Sequence, residues 1–455
     1  MKSNSGLFAQ LKDKLNEQID SASLAFFRIV FGCVMLYSQI RFLCKGWIYS
    51  LYIKPNFFFK YYGFYWVHTL PGNLMYLPWV AMIICLVLII IGKYYRVAIT
   101  AFFLLFSYTE LLDLTNYLNH YYLITLLSFI MIFLPMDASF SWDAKKWKQP
   151  VFVPRWTLAI LRLQVGLVYF FAGLAKIKYD WLFHAEPLTI WLATCVNIPI
   201  VGKLLAMRIT AYVFSWIGML FDLTAPFLLL NKMTRPYEYI VIVLFHIITL
   251  WLFYIGIFPL VMMGVALIFF SPVFHRKVLE RCFFFLNRTN PTVERSFSFR
   301  PNNFIYTAFF CIYFLWQLLM PLRYLLYKGN VLWTEQGFRY SWCVMLMEKD
   351  GVIEFHLKDT ITGEQYIEFP KKYLTPLQER MMSTQPDMIL QYAHFLAKKY
   401  KDKYHHTFAV FADAYVSLNQ RAGATYINPN ADLEQDHDSF APKDWILPEQ
   451  NNYKY

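Results

Sequence analysis

The 455 residues are 58% hydrophobic and 20% aromatic but only 16% charged, and the apolar residues lie in long blocks. This composition excludes a soluble globular protein and indicates an integral membrane protein. The formal net charge of +12 belongs to the apolar part of the chain, because residues 323–455 carry 15 basic and 17 acidic side chains. Basic loops that face anionic lipid explain this excess. No nucleic-acid-binding motif accompanies it, so we expect membrane lipids and no nucleic acid as partners.

The first element, residues 1–20, is predicted to be a short interfacial helix. Leu7, Leu11 and Leu15 lie four residues apart on one helical face, and no compact apolar region of a signal peptide follows the N-terminal charges. A transmembrane helical domain over residues 21–322 follows, for which we predict eight or nine spans. The apolar stretches lie near residues 22–43, 78–93, 97–114, 119–136, 156–176, 211–230, 237–253, 254–274 and 302–322, the seventh and eighth being nearly continuous.

Loop charges predict the orientation. With the N-terminus in the cytoplasm, seventeen Lys and Arg residues fall in inside loops and eight in outside loops. The positive-inside rule therefore favours a cytoplasmic N-terminus and, with nine spans, a non-cytoplasmic C-terminal region. Eight spans would place the C-terminal region on the opposite side.

Residues 323–455 are predicted to form an extramembrane domain of mixed α/β structure. Alternating apolar residues in "SWCVMLMEKDGVIEFHLKD" and "EQYIEFPKKY", with turn signals at residues 349–351 and 362–363, indicate a β-hairpin. "LQERMMSTQPDMILQYAHFLAKKYKDK" has helical spacing, "FAVFADAYVSLNQR" returns to alternation, and "ADLEQDHDSFAPKDW" is predicted to be an extended acidic tail. The seven cysteines are scattered and show neither metal-ligand spacing nor a disulfide framework.

Ionisable residues inside the apolar blocks are informative, because such a group at membrane depth costs several kcal/mol and usually faces protein or a water-filled cavity. Arg28 and Arg162 are interpreted as structural partners of acids or carbonyls, and Asp222 as a residue that pairs with a neighbour. Lys176 differs, since it directly follows an apolar run. The small Ala172-Gly173 pair one helical turn earlier is expected to leave open space beside it.

Six blocks in order resemble the vitamin K-dependent γ-carboxylase family, which has a horizontally transferred transmembrane domain. The blocks are "LNHYYLITLLSFIMIFLPMD", "YFFAGLAKIKYDW", "FDLTAPFLL", "FHIITLWLFYIGIFP", "GNVLWTEQGFRYSWCVML" and "DAYVSLNQRAGATYINPNADL". Together they cover nearly the whole chain. The chain is similar to the compact bacterial members, so the resemblance implies location in a bacterial inner membrane.

The resemblance implies the following chemistry. Enzymes of this family deprotonate a reduced vitamin K hydroquinone, which reacts with oxygen and yields a strongly basic intermediate. That base removes a γ-hydrogen from a peptide glutamate, the carbanion captures carbon dioxide, and the quinone leaves as its epoxide. Lys176 matches the family's catalytic lysine in the pattern AG-x-x-K. A lysine has a reference pKa of about 10.4, and a desolvated site can lower it by several units toward the neutral amine that this step requires.

Other roles follow from the same resemblance. His120 matches the histidine of the Asn-His-x-Tyr-Leu block and is expected to hydrogen-bond the quinone oxygen or the oxygenated intermediate, with Asn119 orienting nearby groups. His246 matches a second recurrent histidine, although a lone histidine in an apolar run is more often a hydrogen-bonded core residue. Tyr340 and Trp342 either border the quinone site or pack the domain junction.

The resemblance also implies reduced vitamin K or menaquinol, oxygen and carbon dioxide as co-substrates, no metal, and a glutamate-containing protein or peptide as substrate. The animal enzymes have two adjacent lysines where this chain has Ala175-Lys176, and two asparagines where it has Leu118-Asn119. Substrate handling therefore stays open. The alternatives are a quinol epoxidase that does not carboxylate, a transporter, and a non-catalytic scaffold that binds quinone or lipid.

Overall fold

The computed structural model describes residues 7–147, 152–253, 255–282 and 303–450. The helices before the C-terminal domain are α1 (Leu7–Asn16), α2 (Ala22–Cys44), α3 (Leu77–Ile91), α4 (Tyr95–Leu111), α5 (Asn119–Phe133), α6 (Trp142–Trp147), α7 (Arg155–Ala175), α8 (Leu188–Ala193), α9 (Gly202–Leu205), α10 (Arg208–Leu230), α11 (Arg235–Leu252), α12 (Phe258–Ala266), α13 (Pro272–Cys282) and α14 (Asn303–Leu319). The strands β1 (Gln18–Asp20) and β2 (Phe152–Pro154) pair antiparallel. A helix, α1, lies within the predicted segment 1–20, but residues 18–20 form the strand β1 instead of helix.

Six helical segments within the described residues are long and apolar enough to cross a membrane. A seventh is present if the pair formed by α12 with its 3-10 extension and α13, bent by 118°, is one span. The six are Ala22–Cys44, Gly72–Ile91, Arg155–Ala175, Arg208–Leu230, Arg235–Leu252 and Ile305–Leu326. Eight or nine spans are therefore not confirmed, because α5 has only 15 residues and α4 only 17. Both are shorter than the roughly 20 residues that a typical span requires.

Helices α7 and α10 cross closely because two glycines of α7 face α10. A Cβ atom added at Gly166 would lie 3.4 Å from Pro226, and one added at Gly173 would lie 2.6 Å from the backbone nitrogen of Leu223. Small residues at helix interfaces let backbones approach in this way. The expectation that Gly173 leaves open space beside Lys176 is therefore wrong, because α10 packs directly against this glycine.

The two arginines interpreted as structural do bind carbonyl groups. Arg162 donates to the carbonyls of residues 268, 269 and 270, at 3.0 to 3.1 Å. Arg28 is fully buried and donates to the carbonyl of Phe140 at 2.5 Å. In each case the guanidinium satisfies backbone groups that lipid could not hydrogen-bond.

The C-terminal domain is a four-stranded antiparallel sheet covered on one face by a helix. Its helices are α15 (Val331–Thr334), α16 (Pro376–Met382) and α17 (Pro386–Tyr404), and its strands are β3 (Lys349–Asp359), β4 (Gln365–Glu368), β5 (Phe408–Leu418) and β6 (Ala424–Thr425). The strand order is β4-β3-β5-β6. Alternate residues of β3 and β5, including Phe355, Leu357 and Val410, are buried, so period-2 patterning correctly predicted these strands.

One of the two predicted turns is wrong. Residues 362–363 do form the β3–β4 turn, with Gly363 at φ +74°. Lys349 to Gly351, in contrast, begin β3 and pair with residues 416–418 of β5. Gly351 serves close packing instead of a turn, since a Cβ atom there would lie 2.8 Å from the carbonyl oxygen of Ser383.

The C-terminal domain is tied to the membrane-spanning part by polar contacts. Gln378 donates to Asp113 at 3.0 Å, and the backbone of Lys60 donates to Gln391 at 2.8 Å. These contacts fix the domain over the end of the helices where α7 terminates.

Candidate functional site

Lys176 lies at the end of α7 and forms a buried ion pair with Asp222 of α10. Its Nζ atom is 2.6 Å from Oδ2 of Asp222 and 3.3 Å from the carbonyl oxygen of Ala172. The two side chains are only 8% and 10% exposed. The close approach of α10 at Gly173 brings the carboxylate within reach of the amine, because Asp222 is next to the residue that contacts the glycine.

This pair modifies the expectation for the amine. From the sequence we expect only desolvation of this amine, which favours a neutral lysine. In the structure a carboxylate oxygen lies 2.6 Å from the amine nitrogen, so the amine is not isolated in an apolar site. Asp222 is therefore the group best placed to exchange a proton with Lys176.

Trp181 packs beside the ion pair. Its ring centre lies 5.5 Å from Nζ of Lys176, within cation–π range. Its indole nitrogen donates to the carbonyl of Ser215 at 2.8 Å, and the Ser215 hydroxyl donates to the Trp181 carbonyl. The tryptophan is thereby fixed against α10 and walls one side of the amine.

A cavity of about 850 Å³, a value that includes its open space, lies beside the pair and is lined by 22 residues of α5, α7, α8, α10, α11 and α12 and of the connecting segments. Its lining is typical of small-molecule sites, which are mostly apolar with a few polar groups. The polar and aromatic side chains that line it are Asn119, His120, Tyr169, Lys176, Trp181, Phe214, Asp222, Phe245, His246, Thr249, Phe253, Phe258 and Trp342. The structure therefore brings five of the six site residues named from sequence to one cavity.

Two side chains of the cavity wall carry fully buried polar atoms with no hydrogen-bond partner among the described residues. They are Tyr169, through its hydroxyl, and His246, through both ring nitrogens. His246 is 2% exposed and its ring contacts Phe245 and Phe258 at centroid distances of 5.3 and 5.7 Å. His246 is therefore buried but is not a hydrogen-bonded core histidine. Buried polar atoms left unpaired cost about 1–3 kcal/mol each, so a polar ligand group or water has an energetic reason to bind here.

His120 and Asn119 begin α5 at the cavity wall. His120 is buried against Tyr121 and Phe258, with ring centres 4.6 and 5.9 Å away. The Asn119 side-chain oxygen accepts a hydrogen bond from the Tyr117 hydroxyl at 3.1 Å. The start of α5 therefore presents a histidine with its orientation set by packing.

Tyr340 does not line this cavity but joins it to the C-terminal domain. Its backbone N–H donates to the Tyr117 hydroxyl at 2.9 Å. Its ring contacts Tyr122 at 4.8 Å, and Tyr122 in turn contacts Trp342 at 5.1 Å. Both Tyr340 and Trp342 have a left-handed backbone, with φ of +67° and +57°. Tyr340 borders a second cavity, of about 1120 Å³ with its open space included, whose lining shares no residue with the first.

The segment between Lys176 and Trp181 is held by the end of β5. Asp180 accepts hydrogen bonds from Arg421 and, at 3.0 Å, from Asn419. Arg421 also pairs with Glu449 at 2.6 Å. Asn419 and Arg421 of the C-terminal domain thus fix the turn that follows Lys176, which is a structural role.

Sequence reasoning missed Asp222, Tyr169 and Trp181 as members of the site. The sequence did contain a signal for Asp222, since it is a lone carboxylate within one apolar run and Lys176 directly follows another. Pairing of intramembrane charges is the usual arrangement. Nothing in the sequence distinguished Tyr169 or Trp181 from the many other aromatic residues.

Two family models match the chain. The first is the HTTM domain, over residues 16–274. The second is the vitamin K-dependent gamma-carboxylase lumenal domain, over residues 302–452. No solved structure matches the chain.

Proposed function

The chain belongs to the vitamin K-dependent gamma-carboxylase family, and from that premise we propose that it is an integral membrane enzyme that uses a reduced naphthoquinone. The proposed reaction couples oxidation of reduced vitamin K or menaquinol to its epoxide with carboxylation of glutamate in a protein or peptide. Oxygen and carbon dioxide are the further co-substrates. The apolar helices show the membrane character of the chain, and the two matching domains show its carboxylase-like family.

The observation that carries the proposal is the Lys176–Asp222 pair at the wall of an apolar cavity. The residues around this pair suit a quinol. The cavity supplies apolar walls for a ring system, and the unpaired atoms of Tyr169 and His246 can hydrogen-bond its oxygens. A scaffold that only stored quinone would have no use for an amine and a carboxylate buried together.

Lys176 is proposed as the base that accepts a proton from the substrate hydroxyl. When its amine takes that proton, Asp222 holds the proton that the pair already shared. The pair then carries a net charge of +1 opposite the negative charge left on the substrate oxygen. Because the cavity is apolar, this local neutralisation is worth more than it would be in water. The bound quinol supplies the oxidation chemistry.

The remaining site residues are assigned supporting roles. His120 is proposed as a second group that hydrogen-bonds the quinone, with Asn119 fixing the start of α5. His246 would bind a quinone oxygen through its unpaired nitrogens. Trp342 forms the cavity wall on the side of the C-terminal domain, from which a peptide would approach, and Tyr340 packs behind it through Tyr122.

We also propose that the N-terminus is cytoplasmic and that residues 323–455 lie on the non-cytoplasmic side of a bacterial inner membrane. The loop charges support this orientation. The description of the matching C-terminal family as a lumenal domain agrees with it.

The test is to supply purified protein in detergent or lipid discs with a reduced naphthoquinone and oxygen, and to measure the epoxide by chromatography. Parallel reactions contain a glutamate peptide and labelled bicarbonate. We expect epoxide formation by the wild type, and Lys176→Ala should lower it by about 10²–10⁴-fold, the usual contribution of a general base. Small amines should restore part of the activity by entering the vacated space.

Lys178→Ala is the matched control. This lysine is two residues away and lies over the ring of Tyr324 at 5.0 Å, outside the cavity lining. It should keep most of the activity. Comparable turnover by Lys176→Ala and the wild type would disprove the assignment of the base. Epoxide without peptide carboxylation would restrict the function to quinol epoxidation, and no turnover with any quinol would favour the scaffold.

A further inference from the structure

The open face of the C-terminal sheet carries a cluster of one histidine and two carboxylates. Glu354 and His356 lie two residues apart on β3, so their side chains project from the same face. Asp413 on β5 is the direct register partner of Glu354. One ligand atom from each of the three lies within 4.8 Å of the others.

The geometry of the cluster is that of converging ligands and not of a hydrogen-bonded pair. The Nε2 atom of His356 is 3.2 Å from Oε1 of Glu354 and 3.1 Å from Oδ2 of Asp413. Despite these distances, Nε2 is buried and has no hydrogen-bond partner of acceptable geometry. The imidazole nitrogen is therefore close to both oxygens without a hydrogen bond to either, so the three atoms can all bind one cation.

The charges provide an independent reason for a cation. Carboxylates directly opposite each other on antiparallel strands destabilise a sheet. No Lys or Arg of the described residues forms an ion pair with Glu354 or Asp413. A neutral His356 cannot offset two negative charges, and a protonated one offsets only half of them.

We propose that Glu354, His356 and Asp413 bind a divalent first-row transition metal ion such as Zn²⁺. With metal–ligand bonds of about 2.1 Å, neighbouring ligand atoms lie about 3.0 Å apart in octahedral and about 3.4 Å apart in tetrahedral geometry. The observed 3.1 and 3.2 Å fall between these values. An imidazole with two carboxylates suits such ions better than Ca²⁺ or Mg²⁺, which take oxygen ligands.

The site would join β3 to β5 on the face opposite α17, and water would complete the coordination. The three side chains are 31%, 39% and 44% exposed, so an ion can enter from solvent. None of them lines the cavity beside Lys176. The proposed metal therefore does not depend on the quinol reaction, and it departs from the expectation that the chain binds no metal.

The test uses the full chain in detergent micelles, treated with a chelator and titrated with Zn²⁺ by calorimetry. We expect one saturable equivalent per chain in the wild type. Asp413→Asn and His356→Ala should each raise Kd at least about tenfold, because each removes one of only three protein ligands. Visible absorption of bound Co²⁺ should report the same loss.

His405→Asn is the matched control, since His405 is an exposed histidine of the same domain with a left-handed φ of +61° that asparagine tolerates. It should bind Zn²⁺ as the wild type does. Thermal unfolding without metal checks that the variants are folded. Absence of a saturable equivalent in the wild type, or wild-type affinity in both ligand variants, would overturn the proposal.

Discussion

Removing one member of the Lys176–Asp222 pair should destabilise the protein far more than removing both. Lys176→Met leaves a carboxylate without a counter-charge, and Asp222→Leu leaves an amine without one. Because the side chains are only 8% and 10% exposed, solvent screens neither group appreciably. Breaking a buried pair from one side costs about 3–5 kcal/mol. The double variant leaves no charge and replaces both groups with apolar side chains of similar size, so it should lie within about 1 kcal/mol of the wild type.

The assay is thermal unfolding in detergent at one fixed scan rate, followed by tryptophan fluorescence. A loss of about 3 kcal/mol should lower the apparent Tm by several degrees in each single variant. The double variant should recover most of that loss but remain inactive with reduced naphthoquinone, which separates folding from catalysis. Equal destabilisation by the double variant and the sum of the two singles would refute the ion pair. A stable and active double variant would refute Lys176 as the base.

Three further predictions concern helix packing, the turn after the lysine, and topology. Gly173→Ala should lower the free energy of unfolding by about 1–3 kcal/mol and reduce turnover, because its Cβ would lie 2.6 Å from the α10 backbone. Gly166→Ala is the control: its Cβ would lie 3.4 Å from Pro226, so stability and turnover should change little. Arg421→Lys should reduce turnover on the order of tenfold, because a lysine cannot pair with Asp180 and Glu449 at the same time. This variant should still bind quinone. A cysteine at the exposed Asn430, in a background without native cysteines, should react with a membrane-impermeant reagent in intact spheroplasts. Reaction only after membrane disruption would contradict the proposed orientation.

The candidate site was only partly predictable. Lys176 could be singled out because it directly follows an apolar run and matches the AG-x-x-K pattern of the family that the chain resembles. His120 and His246 were identified by resemblance, but their surroundings were not. The environment of the His246 nitrogens depends on how α11 is rotated against α10 and α12, and this rotation is decided by packing between the helices.

The sequence by itself determined the membrane class, the strands β3 and β5, and the family, because hydropathy and period-2 alternation are local patterns. Only the tertiary structure decided which polar groups meet. Asp222 reaches Lys176 because glycine lets two helices approach, and Glu354 faces Asp413 because the strand register aligns residues 59 positions apart. The number of long spans also depends on where helices begin and end. These long-range contacts depend on the packing free energy of the whole fold, and no single stretch of sequence determines that free energy.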